Sequence, residues 1–439
     1  MDADLIAGIV GVATLLILII LRCPISFALL LVGTGGLAYF MGLAPAITYI
    51  PTQIFKYLAK FTFIAVPLFL LMGYFAFHAG LTADAYKVAR DWVGRLPGGL
   101  GIATVLANAA FGAAAGSSLA ACAAFSKIAV PEMTRSGYSM RLATGIVASS
   151  AGLAILIPPS IIMIIYGIFS ETSPGKLFIA GIFPGLVYAA VMAIAIVPLV
   201  RFSSAWKSQG EVPPPPPLKR RLYEFHKLWG IVVLALLVMG GIYTGLVDPT
   251  EAAALGAFGA MLLALILRKL NWPAFKDSLS STLHASSMIF LLLAGASVFS
   301  TFMVRSGLMA VATTTIIELQ VPLLVLLGLL AIFYVILGMF LDSISMMVLT
   351  LPFVIPIMVD KGIDFIWFGV FLTLLVGVGT ITPPMGLSIY VMKGVLRDQV
   401  SLEELFLGAA IFVPLILVVV GIVMVFPELA TWLPAQMVN

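Results

Sequence analysis

Long apolar runs recur along the whole chain, separated by short segments in which charged and polar residues collect. A helix needs about 20 apolar residues to cross a bilayer, whereas a membrane β-barrel shows short segments of alternating hydrophobicity. The pattern therefore predicts an all-α polytopic membrane protein with about ten transmembrane helices. The predicted spans are 5–22, 25–43, 61–79, 142–166, 178–200, 229–246, 250–267, 280–302, 366–392 and 406–426.

Two further apolar segments, 98–126 and 321–358, are predicted to be re-entrant helical hairpins, which enter and leave the membrane on the same side. The middle of the first, FGAAAGSS, is richer in Gly and Ser than an ordinary span, although small residues also allow helices to pack closely. The second contains GMFLDSISMM, in which Asp342 is the only charged residue between Glu318 and Asp360.

The distribution of charge predicts the orientation. Charged residues make up only 10% of the chain, against about 25% in soluble domains. If the N-terminus lies outside, most of the 23 Lys and Arg residues fall on the inner side, as the positive-inside rule favours. Both termini then face out, and the proline-rich loop 201–227 lies inside. The basic residues that remain outside are Lys56, Lys60, Lys176, Arg305 and Lys361.

The motif content argues against several functional classes. The two cysteines lie far apart and the three histidines are scattered. The sequence contains no HExxH, no cysteine pairs at zinc spacing and no P-loop. Nothing in it therefore favours an ATPase, a metal hydrolase or another enzyme, an organic cofactor, or a nucleic-acid partner.

The two halves of the chain match at a constant offset of 225 residues. SKIAVPEM at 126–133 aligns with LPFVIPIM at 351–358, and AILIPPSIIMIIYG at 154–167 aligns with GTITPPMGLSIYVM at 379–392. By the charge argument, the first repeat enters the membrane from inside and the second from outside. Two inverted-topology repeats of this kind are the architecture of many secondary transporters.

Double prolines interrupt one long span in each repeat. A proline removes a backbone donor and clashes with the preceding turn, and lipid offers no replacement partner for the freed carbonyls. The alternatives are a simple helix kink and an unwound segment that lines a cavity, and the repetition favours the second. The residues predicted for these broken helices are Gly152, Pro158, Pro159, Gly377, Gly379, Thr380, Thr382, Pro383 and Pro384.

The offset also maps Ser117 onto Asp342 and Ser118 onto Ser343, so both hairpin tips carry polar oxygen atoms. The N-termini of the second hairpin arms supply partial positive charge for an anionic substrate. The residues predicted for the substrate site and the tips are Asn108, Gly116, Ser117, Ser118, Asp342, Ser343 and Ser345.

A carboxylate within a membrane is costly, so Asp342 is expected to be paired, protonated or coordinating. Three roles remain open for it: a ligand of a coupling cation, the N-cap of the second arm, and a proton site. Hydroxyl, carbonyl and carboxylate oxygens suit a hard cation such as Na⁺. The predicted Na⁺ ligands are Ser117, Ser118, Asp342 and Thr382.

The hairpins and broken helices divide the chain into a predicted moving unit and a scaffold. The moving unit comprises 61–200 with the first hairpin and 280–400 with the second. Scaffold helices are predicted in 1–60, in 201–279 together with the proline-rich inner loop, and in 401–439.

FGAAAGSSLAACAAFSKIAVPEMTRSGYSMRLATG (111–145) and AILIPPSIIMIIYGIFSETSPGKLFIAGIFPG (154–185) closely resemble the large membrane subunit of tripartite ATP-independent periplasmic (TRAP) transporters. FLDS and TITPPMGLSIYV in the second half are similar to that family as well, and the similarity runs over essentially the whole chain. Ala121 stands where the family often has Thr, and Ser343 where many members have Pro.

The resemblance implies Na⁺-driven symport by an elevator-type transport domain in the bacterial inner membrane. It implies two protein partners, a separate small four-helix membrane subunit and a periplasmic substrate-binding protein. The implied substrates are organic acids, such as a C4-dicarboxylate, sialic acid or another sugar or keto acid. The rival interpretations are a self-sufficient ion-coupled dicarboxylate symporter and an H⁺-coupled carrier that uses Asp342.

Overall fold

The computed structural model describes residues 3–202, 217–384 and 386–437, and the secondary structure of these residues is helical, with no strand. In the first half the helices are α1 Ala3–Ile20, α2 Ile25–Met41, α3 Leu43–Leu58, α4 Ala65–His78, α5 Leu81–Val93, α6 Gly99–Ala115, α7 Ser118–Arg135, α8 Met140–Ser150, α9 Leu153–Leu156, α10 Ile161–Phe169, α11 Pro174–Ala180 and α12 Ile182–Phe202. In the second half they are α13 Leu218–Glu224, α14 Trp229–Ala235, α15 Gly241–Tyr243, α16 Pro249–Ile266, α17 Trp272–Arg305, α18 Leu308–Glu318, α19 Leu323–Gly338, α20 Ser343–Asp360, α21 Phe365–Gly379, α22 Leu387–Leu396, α23 Leu402–Ala410, α24 Val413–Val425 and α25 Glu428–Thr431.

The all-α polytopic fold class is confirmed. Within the described ranges, eight helices are long and apolar enough to cross a membrane, and a ninth span results if Met140–Leu156 and Ile161–Phe169, bent by 47°, are counted together. This is slightly fewer than the predicted number of spans. The predicted spans 25–43 and 366–392 contain helices of only 17 and 15 residues, because Gly42 ends α2 and the second double proline ends α21.

The longest helix, α17, extends well beyond its predicted apolar span 280–302. It has 34 residues, so it is about 51 Å long, against about 30 Å for the hydrocarbon core. The extension begins at Asn271, whose side-chain oxygen accepts a hydrogen bond from the Ala274 amide at 2.9 Å. This cap lets a polar first segment stay helical outside the apolar layer.

Several short helices lie wholly or partly outside the predicted spans and hairpins, and four of them are α3, α5, α18 and α23. Each has between 9 and 16 residues. Their apolar residues are too few or too dispersed to form a membrane span, so a search for long apolar runs passes over them. Of these, α5 packs against α6 of the first hairpin and α18 against α20 of the second.

The helix boundaries follow the offset of 225 residues far beyond the two matched sequence blocks. Shifting α7 by 225 gives 343–360, which are the bounds of α20, and shifting α5 gives 306–318, which overlaps α18. The same shift places α6 on α19, α10 on α22 and α12 on α24. The internal repeat therefore extends from α4 to α12 and from the second half of α17 to α24.

The first arm of each hairpin packs tightly against the first half of the broken helix in its own repeat. A Cβ atom on Gly112 would lie 2.9 Å from the Cα of Ala154, and one on Gly338 would lie 2.5 Å from the Cα of Gly379. The offset maps Ala154 onto Gly379, so the two contacts occur at equivalent places. At both, the backbones touch because no side chain lies between them.

This contact predicts different outcomes for two neighbouring glycines of α21. Gly379→Ala places a Cβ 2.6 Å from the Gly338 backbone, so we expect the free energy of unfolding to fall by about 1–3 kcal/mol. Gly377→Ala is the matched control, because its Cβ lies at an ordinary 3.6 Å from Ile155. The helix propensity of Ala favours both variants equally. Thermal unfolding in detergent measures the difference, and equal transition temperatures would contradict the proposed backbone contact.

The C-terminal helices pack on the broken helices. A Cβ atom on Gly145 of α8 would clash with the carbonyl oxygen of Gly408 in α23. The indole Nε1 of Trp367 in α21 donates to the carbonyl oxygen of Val423 in α24 at 2.8 Å. Both α23 and α24 are therefore attached to the helices that carry the double prolines.

Candidate functional site

The turn of the first hairpin lies within the predicted tip. Helix α6 ends at Ala115, Gly116 adopts φ +61°, and the extended Ser117 leads into α7. The Ser117 hydroxyl accepts a hydrogen bond from the Ala120 amide at 3.4 Å, and it therefore caps α7. Ser117 is half-buried and Ser118 is buried.

This tip lies directly against the break in the first broken helix. A Cβ atom on Gly116 would lie 2.5 Å from the carbonyl oxygen of Pro159. The Pro158–Pro159 peptide bond is cis, and both residues are buried. Ser160 restarts the helix, because its hydroxyl accepts from the Met163 amide at 3.3 Å and donates to the Ile155 carbonyl at 2.5 Å.

The second tip places Asp342 at the N-cap of α20. One carboxylate oxygen accepts hydrogen bonds from the Ile344 and Ser345 amides at 3.0 and 3.1 Å, and the other accepts from the Ser345 hydroxyl. Among the described residues no cationic side chain forms an ion pair with this half-buried carboxylate. Ser343 begins the helix and is half-buried. The capping role is thus present, and the negative charge remains without a cation.

The second break is more open than the first. Pro383 and Pro384, also joined by a cis peptide bond, are exposed, and Met385 lies outside the described residues. The hydroxyls of Thr380 and Thr382 donate to carbonyl oxygens at the end of α21, at 2.8 and 2.7 Å. Each hydroxyl oxygen keeps acceptor capacity after this donation.

At both breaks the unwound segment is shorter than the sequence suggests. Gly152 has helical dihedrals, and Gly377 and Gly379 lie inside α21. The extended backbone begins only at Ile157 in the first broken helix. A proline disturbs the turn immediately before it, so glycines further upstream keep their helical hydrogen bonds.

The second arm of each hairpin contacts the broken helix of the other repeat. The thiol of Cys122 in α7 donates to the carbonyl oxygen of Ser388 in α22 at 3.2 Å. In the equivalent arrangement, α20 packs beside α10. Because of this exchange, each half of the chain completes the surroundings of the other half's hairpin.

Ser388 is a polar residue of this region that the sequence reasoning missed. Its side chain is 1% exposed, and its hydroxyl has no hydrogen-bond partner within the described ranges. Its amide donates across the break to the Thr380 carbonyl at 3.1 Å. A serine four residues after the double proline was the available signal, but the contact with Cys122 cannot be recognised from spacing.

Asn108 lies beside the first broken helix and not at the tip. It is eight residues before Gly116 along α6, a distance of about 12 Å. Its side-chain amide donates to the Ser150 hydroxyl at 2.8 Å and to the Thr104 carbonyl at 3.2 Å. Its own oxygen is buried and has no partner among the described groups. Asn108 and Ser150 thus form a buried polar pair between α6 and the end of α8.

The donor set of this region is oxygen-rich. It consists of hydroxyls, backbone carbonyls, one amide and one carboxylate, and the tip segments 112–118 and 339–345 contain no Lys or Arg. In the part of the chain that the structure describes, no group of three or more His, Cys, Asp or Glu residues is arranged to hold a metal ion. The site therefore does not resemble a transition-metal centre.

Two helical hairpins that pack on interrupted helices inside an apolar bundle are typical of a membrane transport protein. Residues 12–429 match the family described as tripartite ATP-independent periplasmic transporter, DctM component. The chain belongs to this family and is a large membrane subunit of the TRAP type. It is a multi-pass protein of the bacterial inner membrane.

Relatives agree with this assignment, and a solved transporter structure shares the fold. The chain is 30% identical to the sialic acid TRAP transporter large permease protein SiaM of Vibrio cholerae, over 94% of each chain. It is 31% identical to the C4-dicarboxylate TRAP transporter large permease protein DctM of Pseudomonas aeruginosa, over 92% of this chain and 91% of that one. The crystal structure of the Alcanivorax borkumensis YdaH transporter superposes with a TM-score of 0.60 at 16% identity, covering 90% and 89% of the chains, and shares the fold.

Proposed function

We propose that this large permease subunit carries out Na⁺-coupled uptake of an organic acid. The observation that carries the proposal is the carboxylate of Asp342, which lies at a hairpin tip with its charge uncompensated by any described side chain. A half-buried carboxylate without a cationic partner is costly, and a bound cation offsets that cost. Oxygen ligands on hairpin tips and broken helices suit Na⁺.

The proposed ligands are Ser117, Ser118, Asp342 and Thr382, to which we add Ser388. The hydroxyl of Ser388 is buried without a hydrogen-bond partner among the described residues, and a buried unpaired polar group costs free energy unless a ligand satisfies it. The exchange of second arms between the repeats supports a shared region, because it brings α7 to the second broken helix.

The substrate is proposed to bind where helix N-termini converge. Helices α7 and α20 both begin at a hairpin tip, and α10 and α22 both begin at a break. The partial positive charge at these helix N-termini favours an anionic group, so the organic acid's carboxylate needs no Lys or Arg at the tips. The proposed substrate class, C4-dicarboxylates, sialic acid and other sugar or keto acids, includes the acids named for the two relatives above.

The proposed assembly contains a small four-helix membrane subunit and a periplasmic protein that delivers the substrate. The proposed moving unit is the one expected from the sequence, 61–200 and 280–400, which contains both hairpins and both broken helices. The packing of α23 on α8 and of α24 on α21 supports adding 401–425 to this unit. Residues 1–60 and most of 201–279 then remain as scaffold and carry the contacts with the small subunit.

The experiment is uptake into proteoliposomes that contain both membrane subunits, with loaded binding protein outside. We expect uptake to require an inward Na⁺ gradient and to stop when either partner is omitted. Uptake by this chain alone would favour a self-sufficient symporter. Uptake driven by a proton gradient and indifferent to Na⁺ would instead identify Asp342 as a proton carrier.

The same vesicles test the moving unit. A single cysteine placed at Ala113, in the first tip segment but not among the proposed ligands, should become accessible to a membrane-impermeant thiol reagent alternately from each side as substrate and Na⁺ are varied, with Cys23 and Cys122 replaced by Ala. Reactivity from one side only, under every condition that supports uptake, would contradict an elevator movement.

A further inference from the structure

The first arm of the first hairpin runs beside the first half of its broken helix, in the same direction, and the two meet once per helical turn. Positions 108, 112 and 116 of the hairpin lie against positions 150, 154 and 159 of the broken helix. Residues four apart share one face of a helix, so these three contacts form a single line that ends at the tip. The last two are close backbone contacts of glycines, and only the first is made by side chains.

The side-chain contact is the one that fixes the alignment of the two helices. A glycine contact sets how closely two helices approach, whereas a hydrogen bond also sets where along its length one helix meets the other, because donor and acceptor must lie within about 3.2 Å. The side chain of Asn108 is completely buried and donates to the Ser150 hydroxyl at 2.8 Å and to the Thr104 carbonyl at 3.2 Å. A slip by one residue would bring Ala107 or Ala109 to Ser150 and leave the buried amide unpaired, which is unfavourable.

The acceptor side of this contact is itself held in place. The hydroxyl of Tyr188 in α12, which is buried, donates to the Ser149 carbonyl at 2.6 Å. The end of α8 is therefore bound by a polar side chain from α6 and by another from α12. The first hairpin is aligned against a part of the broken helix that cannot easily shift with it.

The second half of the chain has no equivalent of this polar contact. The offset of 225 maps Asn108 onto Phe333 and Ser150 onto Leu375, and neither side chain can form a hydrogen bond. Phe333 is 45% exposed. A hairpin can therefore pack on a broken helix in this fold without such a pair, so general packing does not explain why the first half has one.

The two tips differ in a way that accounts for the pair. The second tip carries the carboxylate of Asp342, whereas the first carries only hydroxyl and backbone oxygens. A neutral oxygen attracts a cation over a much shorter range than a full charge does. Sites of this kind work when surrounding hydrogen bonds hold the ligands within about 0.5 Å of the required geometry.

We propose that Asn108 is a positioning residue for the ion site. Through Ser150 it fixes the height of the first tip relative to the break, and so places the hydroxyls of Ser117 and Ser118 for the cation. Asn108 lies about 12 Å from the tip, so its effect on the ion is indirect. This inference rests on the proposed function, because it assigns a further residue to the alignment of the same site.

The test is the Na⁺ dependence of uptake into proteoliposomes that contain both membrane subunits, with loaded binding protein outside. Asn108→Ala should raise the Na⁺ concentration for half-maximal uptake about fivefold, equivalent to about 1 kcal/mol for one neutral hydrogen bond. Ser150→Ala should do the same, and the double variant should be no worse than either, because both residues act through one contact. Ser150→Ala, the smaller change, carries the test if Asn108→Ala does not fold.

Ser149→Ala is the matched control. Its hydroxyl is as deeply buried as that of Ser150, but it donates to the Gly145 carbonyl of its own helix at 2.7 Å. The bond from Tyr188 goes to the backbone of Ser149 and is kept in this variant. Ser149→Ala should therefore leave the Na⁺ dependence unchanged.

A second measurement follows the alignment without Na⁺. In a Cys23→Ala background the remaining thiol is that of Cys122, which is buried in α7 six residues after Gly116. We expect N-ethylmaleimide to label it about fivefold faster in Asn108→Ala and Ser150→Ala than in the parent protein, and at the parent rate in Ser149→Ala. If uptake by the parent protein does not depend on Na⁺, the proposed function fails, while labelling still tests the alignment of the tip.

Several results would overturn the proposal. An unchanged Na⁺ dependence in both Asn108→Ala and Ser150→Ala would mean that the pair does not serve the ion site, and an unchanged labelling rate would mean that it does not hold the tip. Additive losses in the double variant would show that the two residues act separately. An equal loss in Ser149→Ala would reduce the pair to ordinary packing.

Discussion

Replacing Asp342 by Asn is expected to raise the Na⁺ concentration for half-maximal uptake by about 10- to 150-fold, because losing a charge-assisted contact costs about 1.5–3 kcal/mol. Asn keeps the size of the side chain and one oxygen, which can still accept from the Ile344 and Ser345 amides. Asn is about as good an N-cap as Asp, so α20 should start at the same place. The measurement is the Na⁺ dependence of uptake into proteoliposomes.

The chain offers a matched control for this substitution. Asp364 caps α21 in the same way, accepting from the Ile366 and Trp367 amides at 2.7 and 3.0 Å, but it is exposed and lies in the turn after the second hairpin. Asp364→Asn should leave the Na⁺ dependence unchanged. If Asp342→Asn behaves like Asp364→Asn, the carboxylate at the tip is only a cap and the proposed cation site loses its central ligand.

Gly116→Ala is expected to lower the free energy of unfolding by about 2–5 kcal/mol and to abolish most uptake. Two costs add in this variant. The left-handed backbone at φ +61° costs a residue with a Cβ about 1–2 kcal/mol, and the new Cβ meets the Pro159 carbonyl at 2.5 Å, where overpacking costs about 1–3 kcal/mol. The tip must then move away from the break, which disturbs the proposed ion site.

Gly362→Ala separates these two costs. Gly362 has φ +63°, nearly the value of Gly116, but no described atom beyond its own chain neighbours lies within 4 Å of the point that a Cβ would occupy. It should therefore show only the backbone cost and near-normal uptake. Thermal unfolding and initial uptake rates of the two variants are the measurements. Equal losses would mean that the tip does not depend on its contact with the break.

The sequence was sufficient for the features that depend on local chemistry. The double prolines predicted where two spans are interrupted, and the Gly-Ser segment predicted the turn at Gly116 and Ser117. Capping by Asp342 was one of the three roles that an acidic residue ahead of a helical segment left open, and it is present in the structure. In each case the cause lies within a few residues of its effect.

Features that depend on long-range packing could not be predicted in this way. The hydrogen bond between Cys122 and Ser388 joins residues 266 positions apart, and neither residue stands out in its own segment. The close approach of Gly338 and Gly379 can be predicted only if the point where α19 and α21 cross is known. Amphipathic helices such as α5 went unrecognised because a search for apolar runs ignores segments that are half polar.

The exchange of second arms between the repeats has a consequence for synthesis of the chain. At about 5–20 residues per second, the 266 residues between Cys122 and Ser388 take about 13–53 s to translate, so the first hairpin must wait in the membrane without its partner helix. Its tip carries only serine hydroxyls, which are far less costly to hold there than a carboxylate. Asp342 is made only after α10, the neighbour of α20, has already emerged. The neutral tip of the first hairpin therefore enters the membrane first. The tip that carries Asp342 enters only when α10, the helix beside α20, is already there.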